Sequence, residues 1–302
     1  MSIADFHIHT TKSDGAYTPA EVLAVAREMK LKHIALCDHH TVAGYDEIRA
    51  DATEAGINVV PAFETSASDR RNLHICGYGM KNLRGIEDKL APFADDGTRI
   101  LDVILRGLGK EGIKLPDEIR DMILKNPDTN LFWVAKQISK FGYLFNYDGG
   151  KKRAYNVVKK LETTTIKAAK KPTARAVIKM IKSHGGVAVL AHPKSIKQIQ
   201  KAENGGYSKL NRADFERLFE GMVADGLDGV ESLAPRHDTA DIDYFTALSR
   251  NAGIFDIGGS DFHGIRRADG SVDNDGKHIG NPNVTPAHVE RFFHEIEGAQ
   301  IV

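Results

Sequence analysis

Close to the start of the chain, Asp5-Phe6-His7-Ile8-His9 sets two histidines two positions apart. On an extended strand both imidazoles then project to the same face, as two ligands of one ion must. More groups of the same kind follow: Asp14, Asp38-His39-His40, Glu64, His74, Ala191-His192-Pro193 and Ser260-Asp261-Phe262-His263. Several of them sit where an apolar run ends. Ionisable groups buried there cost several kcal/mol unless a metal or a partner satisfies them. Imidazole and carboxylate without thiolate is a donor set for Mn²⁺, Fe²⁺ or Zn²⁺. The pattern therefore reads as a multinuclear metal site. His33, His184, His278, His288 and His294 lack ligand spacing and read as ordinary core or surface histidines.

The elements that must position these groups are short apolar runs rich in β-branched residues: His33 to Cys37, Asn58 to Phe63, Leu73 to Tyr78, Val187 to Leu190, Gly229 to Leu233 and Gly253 to Ile257. Each reads as a strand buried on both faces. Helical patterns lie between most of them, such as Pro19 to Met29 behind the Thr18-Pro19 cap. Alternating strands and helices predict a parallel sheet. Ligands gathered from many strand ends converge only if that sheet curls into a β/α barrel, where sites lie at the C-terminal face. Thr65 to Asn72 is too short for a crossover helix of about a dozen residues. The strand from Leu73 therefore reads as antiparallel, with His74 at its start beside Glu64.

The 302 residues hold one barrel of roughly 250 residues plus an insertion. From Pro92 to Lys171 the alternation stops and the pattern turns helical: Arg99 to Leu108, Pro116 to Leu124, Leu131 to Phe141 and Ala154 to Ala169. The expected division is a barrel of residues 1–91 and 172–302 with a helical cap of residues 92–171. That cap is rich in aromatics and carries the basic run Lys151-Lys152-Arg153. The 41 basic residues balance 41 acidic ones, so no global field recruits nucleic acid or a membrane surface. An anionic substrate needs a local clamp, for which Arg175, Arg236, Lys136, Lys151, Lys152 and Arg153 are the candidates. Arg236 and His237 follow the Gly229 to Leu233 strand on the face of the metal residues. Cys37 and Cys76 lie inside apolar strand patterns and read as reduced, buried thiols. With no apolar run near the ~20 residues of a membrane span and no leader at the N-terminus, the expectation is a cytoplasmic protein.

His7-Ile8-His9-Thr10, Ser13-Asp14-Gly15, Cys37-Asp38-His39-His40-Thr41, Glu64, Leu73-His74-Ile75, Gly185 to Pro193 and Gly259 to His263 together resemble the motifs of the PHP (polymerase and histidinol phosphatase) family. The resemblance covers the chain outside the insertion. It implies a distorted (β/α)7 barrel of the α/β class with two to three divalent metals, Mn, Fe or Zn, and phosphoesterase activity. The small-molecule branch containing nucleoside 3',5'-bisphosphate phosphatases and cyclic phosphate phosphodiesterases is the most similar. By resemblance His7, His9, Glu64 and Asp261 bind one metal. Glu64, His74 and His192 bind a second, with Glu64 bridging, and Asp14, His39 and His263 bind a third. Where the family often has Asp-His-Asp, this chain has Asp38-His39-His40.

The reaction this predicts is hydrolysis of a small phosphorylated metabolite by a metal-bridged hydroxide: a nucleotide, a nucleoside bisphosphate or a cyclic sugar or nucleotide phosphate. His237 is the first candidate for the acid that protonates the leaving alkoxide, with His40 or a water held by Asp38 as alternatives. Asp38 also reads as a residue that orients an imidazole. The competing readings are a histidinol-phosphatase-like or oligonucleotide-hydrolysing phosphatase, a carbon–nitrogen or ester hydrolase, and a noncatalytic metal-binding scaffold. Nucleic acid longer than a short oligonucleotide is not an expected partner, and neither is a membrane.

Overall fold

The structure is a computed structural model describing residues 2–93, 97–125, 134, 138, 152–158, 160, 171–201, 207–266, 272–273 and 278–299. In chain order the first elements are β1 (Ala4–Ile8), α1 (Pro19–Glu28), β2 (His33–Leu36), α2 (Ala43–Glu54), β3 (Asn58–Ser66), β4 (His74–Tyr78) and α3 (Leu83–Leu90). Next come α4 (Gly97–Lys110) and α5 (Asp117–Lys125), then α6 (Ala174–Ser183), β5 (Val187–Leu190), β6 (Lys197–Lys201), β7 (Tyr207–Lys209), α7 (Arg212–Ala224) and β8 (Gly229–Leu233). The last are α8 (Thr239–Ala252), β9 (Phe255–Gly258), β10 (Ile265–Arg266), β11 (Val272–Asp273) and α9 (Pro286–Gly298).

Local chemistry sets these boundaries. Thr18 and Glu21 form a reciprocal capping box at the start of α1, with Pro19 in the first turn where its missing N–H costs nothing. Asp238 and Asp241 do the same for α8, which Gly253 ends at φ 69°.

Seven strands form one sheet in the order β1-β2-β3-β4-β5-β8-β9. All pairings are parallel except those of β4, which runs antiparallel to both neighbours and sets Ser66 opposite His74. A parallel bridge between Ile8 and Phe262 brings β1 to the segment after β9, so the sheet is a nearly closed, distorted α/β barrel. Side chains alternate across it: Ala35, Cys37, Ala62, Cys76, Tyr78 and Val189 share an inner cluster. Ile34, Leu36 and Val59 pack with α1 and α2, and Ile75, Ala188 and Leu190 with the helices on the other side. Phe292 of α9 packs tilted against Phe6 and edge-on against Tyr78, with ring centroids 4.3 and 5.2 Å apart, and closes the interior at the end away from His74.

A separate apolar cluster joins Ile104 and Leu108 of α4 and Ile119 and Ile123 of α5 to Val134, Ile138, Ala154 and Val158. The rest of the helical patterns expected over 131–141 and 154–169 lies outside the described residues. Hairpins β6–β7 and β10–β11 were not expected. Their few residues are too short to carry a legible period.

Candidate metal centre

The β1 register brings His7 and His9 to one point, their Nε2 atoms 3.0 Å apart and both rings fully buried. Glu64, in the last part of β3, is the hub. Its Oε1 lies 3.0 Å from His74 Nδ1, 2.9 Å from His192 Nε2 and 3.7 Å from His7 Nε2. Its Oε2 lies 3.3 Å from His39 Nδ1 and 3.5 Å from His9 Nε2. Five imidazoles from four segments thus meet one buried carboxylate. The antiparallel β4 is what brings His74 to it.

Asp14 and Asp261 flank the hub. Asp14 contacts His9 Nδ1 at 3.5 Å, His263 Nε2 at 3.3 Å and His39 Nε2 at 3.7 Å. Asp261 Oδ1 lies 3.4 Å from His263 Nδ1, 3.6 Å from His9 Nε2 and 3.9 Å from His7 Nε2. Backbone strain accompanies the convergence, since His40, His192 and Asp261 all take positive φ, at 60°, 28° and 46°.

The electrostatics keep Glu64 and Asp14 charged and divide the rings between lowered and raised pKa values. Burial opposes ionisation of Glu64, but His74 and His7 hold its pKa well below the usual range. Asp14 is likewise depressed against burial, by His263 and His39. Burial drives His9 down, with His263 and His39 adding to the effect, and burial also lowers His74. His7 goes the other way, because Glu231 and Glu64 outweigh its desolvation.

Ligand atoms of His9, Asp14, His39 and His263 lie within 4.8 Å of one another, as do those of His7, His9 and Asp261 and those of His7, Glu64 and His192. Imidazole nitrogens 3.0 Å apart cannot both donate usefully to each other. His9 Nδ1 and His39 Nδ1 are buried with no hydrogen-bond partner among the described residues. A cation shared between such atoms resolves both problems, so the donor set fits divalent metals. The structure brings all nine expected metal residues together. It groups them differently from the resemblance, with His9 also beside Asp14 and His7 also beside His192.

The other expected residues divide. His237 is buried, its Nδ1 2.7 Å from the Ser232 carbonyl and its Nε2 without a hydrogen-bond partner among the described residues. Burial lowers its pKa. His40 Nδ1 meets Thr65 Oγ1 at 2.7 Å, and burial, then the charges of His39 and Lys171, takes it down to about 3. Arg236 is exposed in the turn after β8.

Three expected residues have other partners. Among the described residues Asp38 bonds to no imidazole. Its oxygens accept from Thr10 N–H at 2.7 Å, Thr10 Oγ1 at 2.8 Å and Ser13 Oγ at 2.8 Å, and so hold the loop that carries Asp14. Arg175 pairs with Asp225 at 3.3 Å, and Arg153 pairs with Glu111 at 3.0 Å inside the insertion. Lys152 is exposed on a helical turn, while Lys136 and Lys151 lie outside the described residues. Glu231 was missed by sequence reasoning. Its one signal is a lone carboxylate inside the apolar run of β8.

Fold and site define a class: a metal-dependent hydrolase of phosphoric esters. Residues 5–225 match the PHP domain model, and the chain belongs to that family. It is 29% identical over 273 residues to a 5'-3' exoribonuclease of Haemophilus influenzae, covering 86% of this chain and 89% of that one. It is 26% identical over 309 residues to a 3',5'-nucleoside bisphosphate phosphatase of Chromobacterium violaceum, covering 98% and 97%. A solved protein of Bifidobacterium adolescentis, assigned as a metal-dependent phosphoesterase, shares the fold with a TM-score of 0.72 at 21% identity, covering 97% of this chain and 96% of that one. Among the described residues no helix is long and apolar enough to cross a membrane.

Proposed function

We propose that the protein hydrolyses a phosphoester on the ribose of a small nucleotide, with a nucleoside 3',5'-bisphosphate as the substrate and a short 5'-phosphorylated oligoribonucleotide as the second reading. The observation that carries the chemistry is the Glu64 hub, contacted by five imidazoles and flanked by Asp14 and Asp261. The substrate class rests on the two relatives named above, an exoribonuclease and a nucleoside bisphosphate phosphatase, which share a nucleotide phosphoester.

Two to three divalent ions, Mn, Fe or Zn, would be held by His7, His9, Glu64 and Asp261, by Glu64, His74 and His192, and by Asp14, His39 and His263, with His9 close to two of these sets. When bound, they supply Lewis acidity and an acidified water at phosphorus. The protein's own residues do the rest. Glu64 and its imidazoles would hold these ions in place. Arg236 neutralises its non-attacking oxygens with a charge-assisted bond. His237 gives the leaving alkoxide a proton from Nε2. Its depressed pKa leaves it neutral in the free protein, and the incoming dianion favours the protonated form. Lys152 of the insertion is a further candidate phosphate contact, while Lys136, Lys151 and most of the insertion's aromatics lie outside the described residues. Buried free thiols at Cys37 and Cys76 suit a cytoplasmic setting.

The test is Mn²⁺-loaded protein assayed for released phosphate or nucleotide. The panel comprises nucleoside 3',5'-bisphosphates, 5'-phosphorylated short RNAs, cyclic ribose phosphates and histidinol phosphate. The bisphosphates should have the highest kcat/KM. Preference for histidinol phosphate, or no turnover of any phosphoester, would overturn the reading.

A further inference from the structure

Glu231 lies in the middle of β8, fully buried among strands that carry the site. Its Oε1 sits 2.6 Å from His7 Nδ1, and its Oε2 accepts the His192 backbone N–H at 2.8 Å. One carboxylate from β8 therefore holds a ring from β1 and the backbone just after β5. The second contact falls on a strained residue, His192 at φ 28°, ψ 60°. A carboxylate inside a strand run is costly unless both oxygens are satisfied, and here each has its own donor.

We propose that Glu231 is a positioning residue that fixes the tautomer of His7 and the backbone of His192, so that both rings face the metals. With Nδ1–H donated to Glu231, the His7 lone pair is on Nε2, the atom that faces His9, Glu64 and Asp261. Holding the His192 N–H keeps its Nε2 on Glu64. Both oxygens must accept, which explains why glutamate rather than glutamine stands here. An amide offers one acceptor, and its NH₂ would face either His7 Nδ1–H or the His192 N–H. Aspartate is one methylene shorter and cannot reach both. The inference rests on the metal-dependent reading above and deepens it.

The experiment needs no substrate, so its failure is distinct from failure of the proposed activity. Zn²⁺ and Mn²⁺ affinities of the wild type, Glu231→Gln and Glu231→Asp are measured by competition with a chromophoric chelator, with circular dichroism of the apo forms to check folding. Glu231→Gln should bind the tightest metal about 10- to 100-fold more weakly, the usual cost of losing a partner of a ligating histidine. Glu231→Asp should fall between. A nitrogen–proton correlation spectrum of Zn²⁺-loaded wild type should show His7 protonated on Nδ1 and coordinated through Nε2. Folded Glu231→Gln with affinity within twofold of wild type would overturn the proposal. So would His7 coordinated through Nδ1, a readout that stands even if the variant fails to fold. Wild type that binds no metal would sink both this inference and the reading beneath it.

Discussion

At the scale of single residues, Glu64 has the largest consequences. Its carboxylate is the common neighbour of His7, His9, His39, His74 and His192, so neutralising it removes charge from two expected metal positions at once. Glu64→Gln should lower kcat by more than ~10²-fold, beyond the loss seen for partners outside the ligand shell. The apo protein should stay folded by circular dichroism. Near-normal turnover in the folded variant would remove Glu64 from the centre of the site. Arg236 is a different case, since it is exposed in the turn after β8. Arg236→Ala should reduce kcat/KM by about 1.5–3 kcal/mol in free-energy terms, with metal content by elemental analysis unchanged. Kinetics that do not move would place phosphate recognition on other loops.

His40 gives a residue-scale prediction about acid stability. Its folded pKa of about 3 lies below the ordinary 6.5, so the unfolded chain takes up a proton that the folded chain refuses. Stability from this group is present above pH 6.5 and declines as pH falls toward 3. The decline amounts to roughly 2 kcal/mol between pH 6.5 and pH 5 at 1.36 kcal/mol per unit. Urea titrations of the apo form at both pH values should show a smaller loss in His40→Gln than in wild type. An equal loss in both would mean that other groups dominate.

At the scale of elements, the site depends on how closely β1 and β9 approach. A Cβ on Gly259 would fall 2.2 Å from His7 Cβ and 2.6 Å from His7 N, on backbone that has nowhere to yield. Gly259→Ala should destabilise the fold by about 1–3 kcal/mol, the range for overpacking. It should also weaken metal binding by displacing His7. Denaturant unfolding and metal titration on the same variant test both parts, and wild-type values in both would show that the strands have room to shift. The antiparallel β4 matters equally. Its register sets Ser66 opposite His74, so the ring at the start of β4 returns to Glu64 on β3. That arrangement was legible from the shortness of Thr65 to Asn72. The hairpins after His192 and Asp261 were not, because a few polar residues carry no period.

For the whole molecule, the crowded buried rings and carboxylates at the barrel mouth are a cost that bound cations relieve. His9 and His39 each bury a ring nitrogen with no hydrogen-bond partner among the described residues. Metal present at 100 times its Kd should stabilise the fold by about 2.7 kcal/mol per site. Chelation should therefore lower the Tm in calorimetry, and added Mn²⁺ should restore it. A Tm indifferent to both would show that the cluster does not bind metal in the folded state.

The sequence by itself determined the residue types and the strand ends that carry them. The HxH pair, the Asp-His-His, the isolated Glu64 and His192, and Asp261 with His263 stand out because each sits beside a β-branched run or within a motif. The local period places them without reference to the rest of the chain. The α/β class and the antiparallel strand followed from the same short-range signals. Tertiary structure alone decided how the donors are shared, because that depends on distances between segments more than two hundred residues apart in sequence, such as His7 and Asp261. It gave Asp38 Thr10 and Ser13 as partners, since the loop carrying Asp14 offers three donors within reach. It took Arg175 and Arg153 to Asp225 and Glu111, because long charged side chains pair with whatever carboxylate the fold brings near. It also brought Glu231 to His7 and His192, a pairing across three strands that no local period or motif could encode.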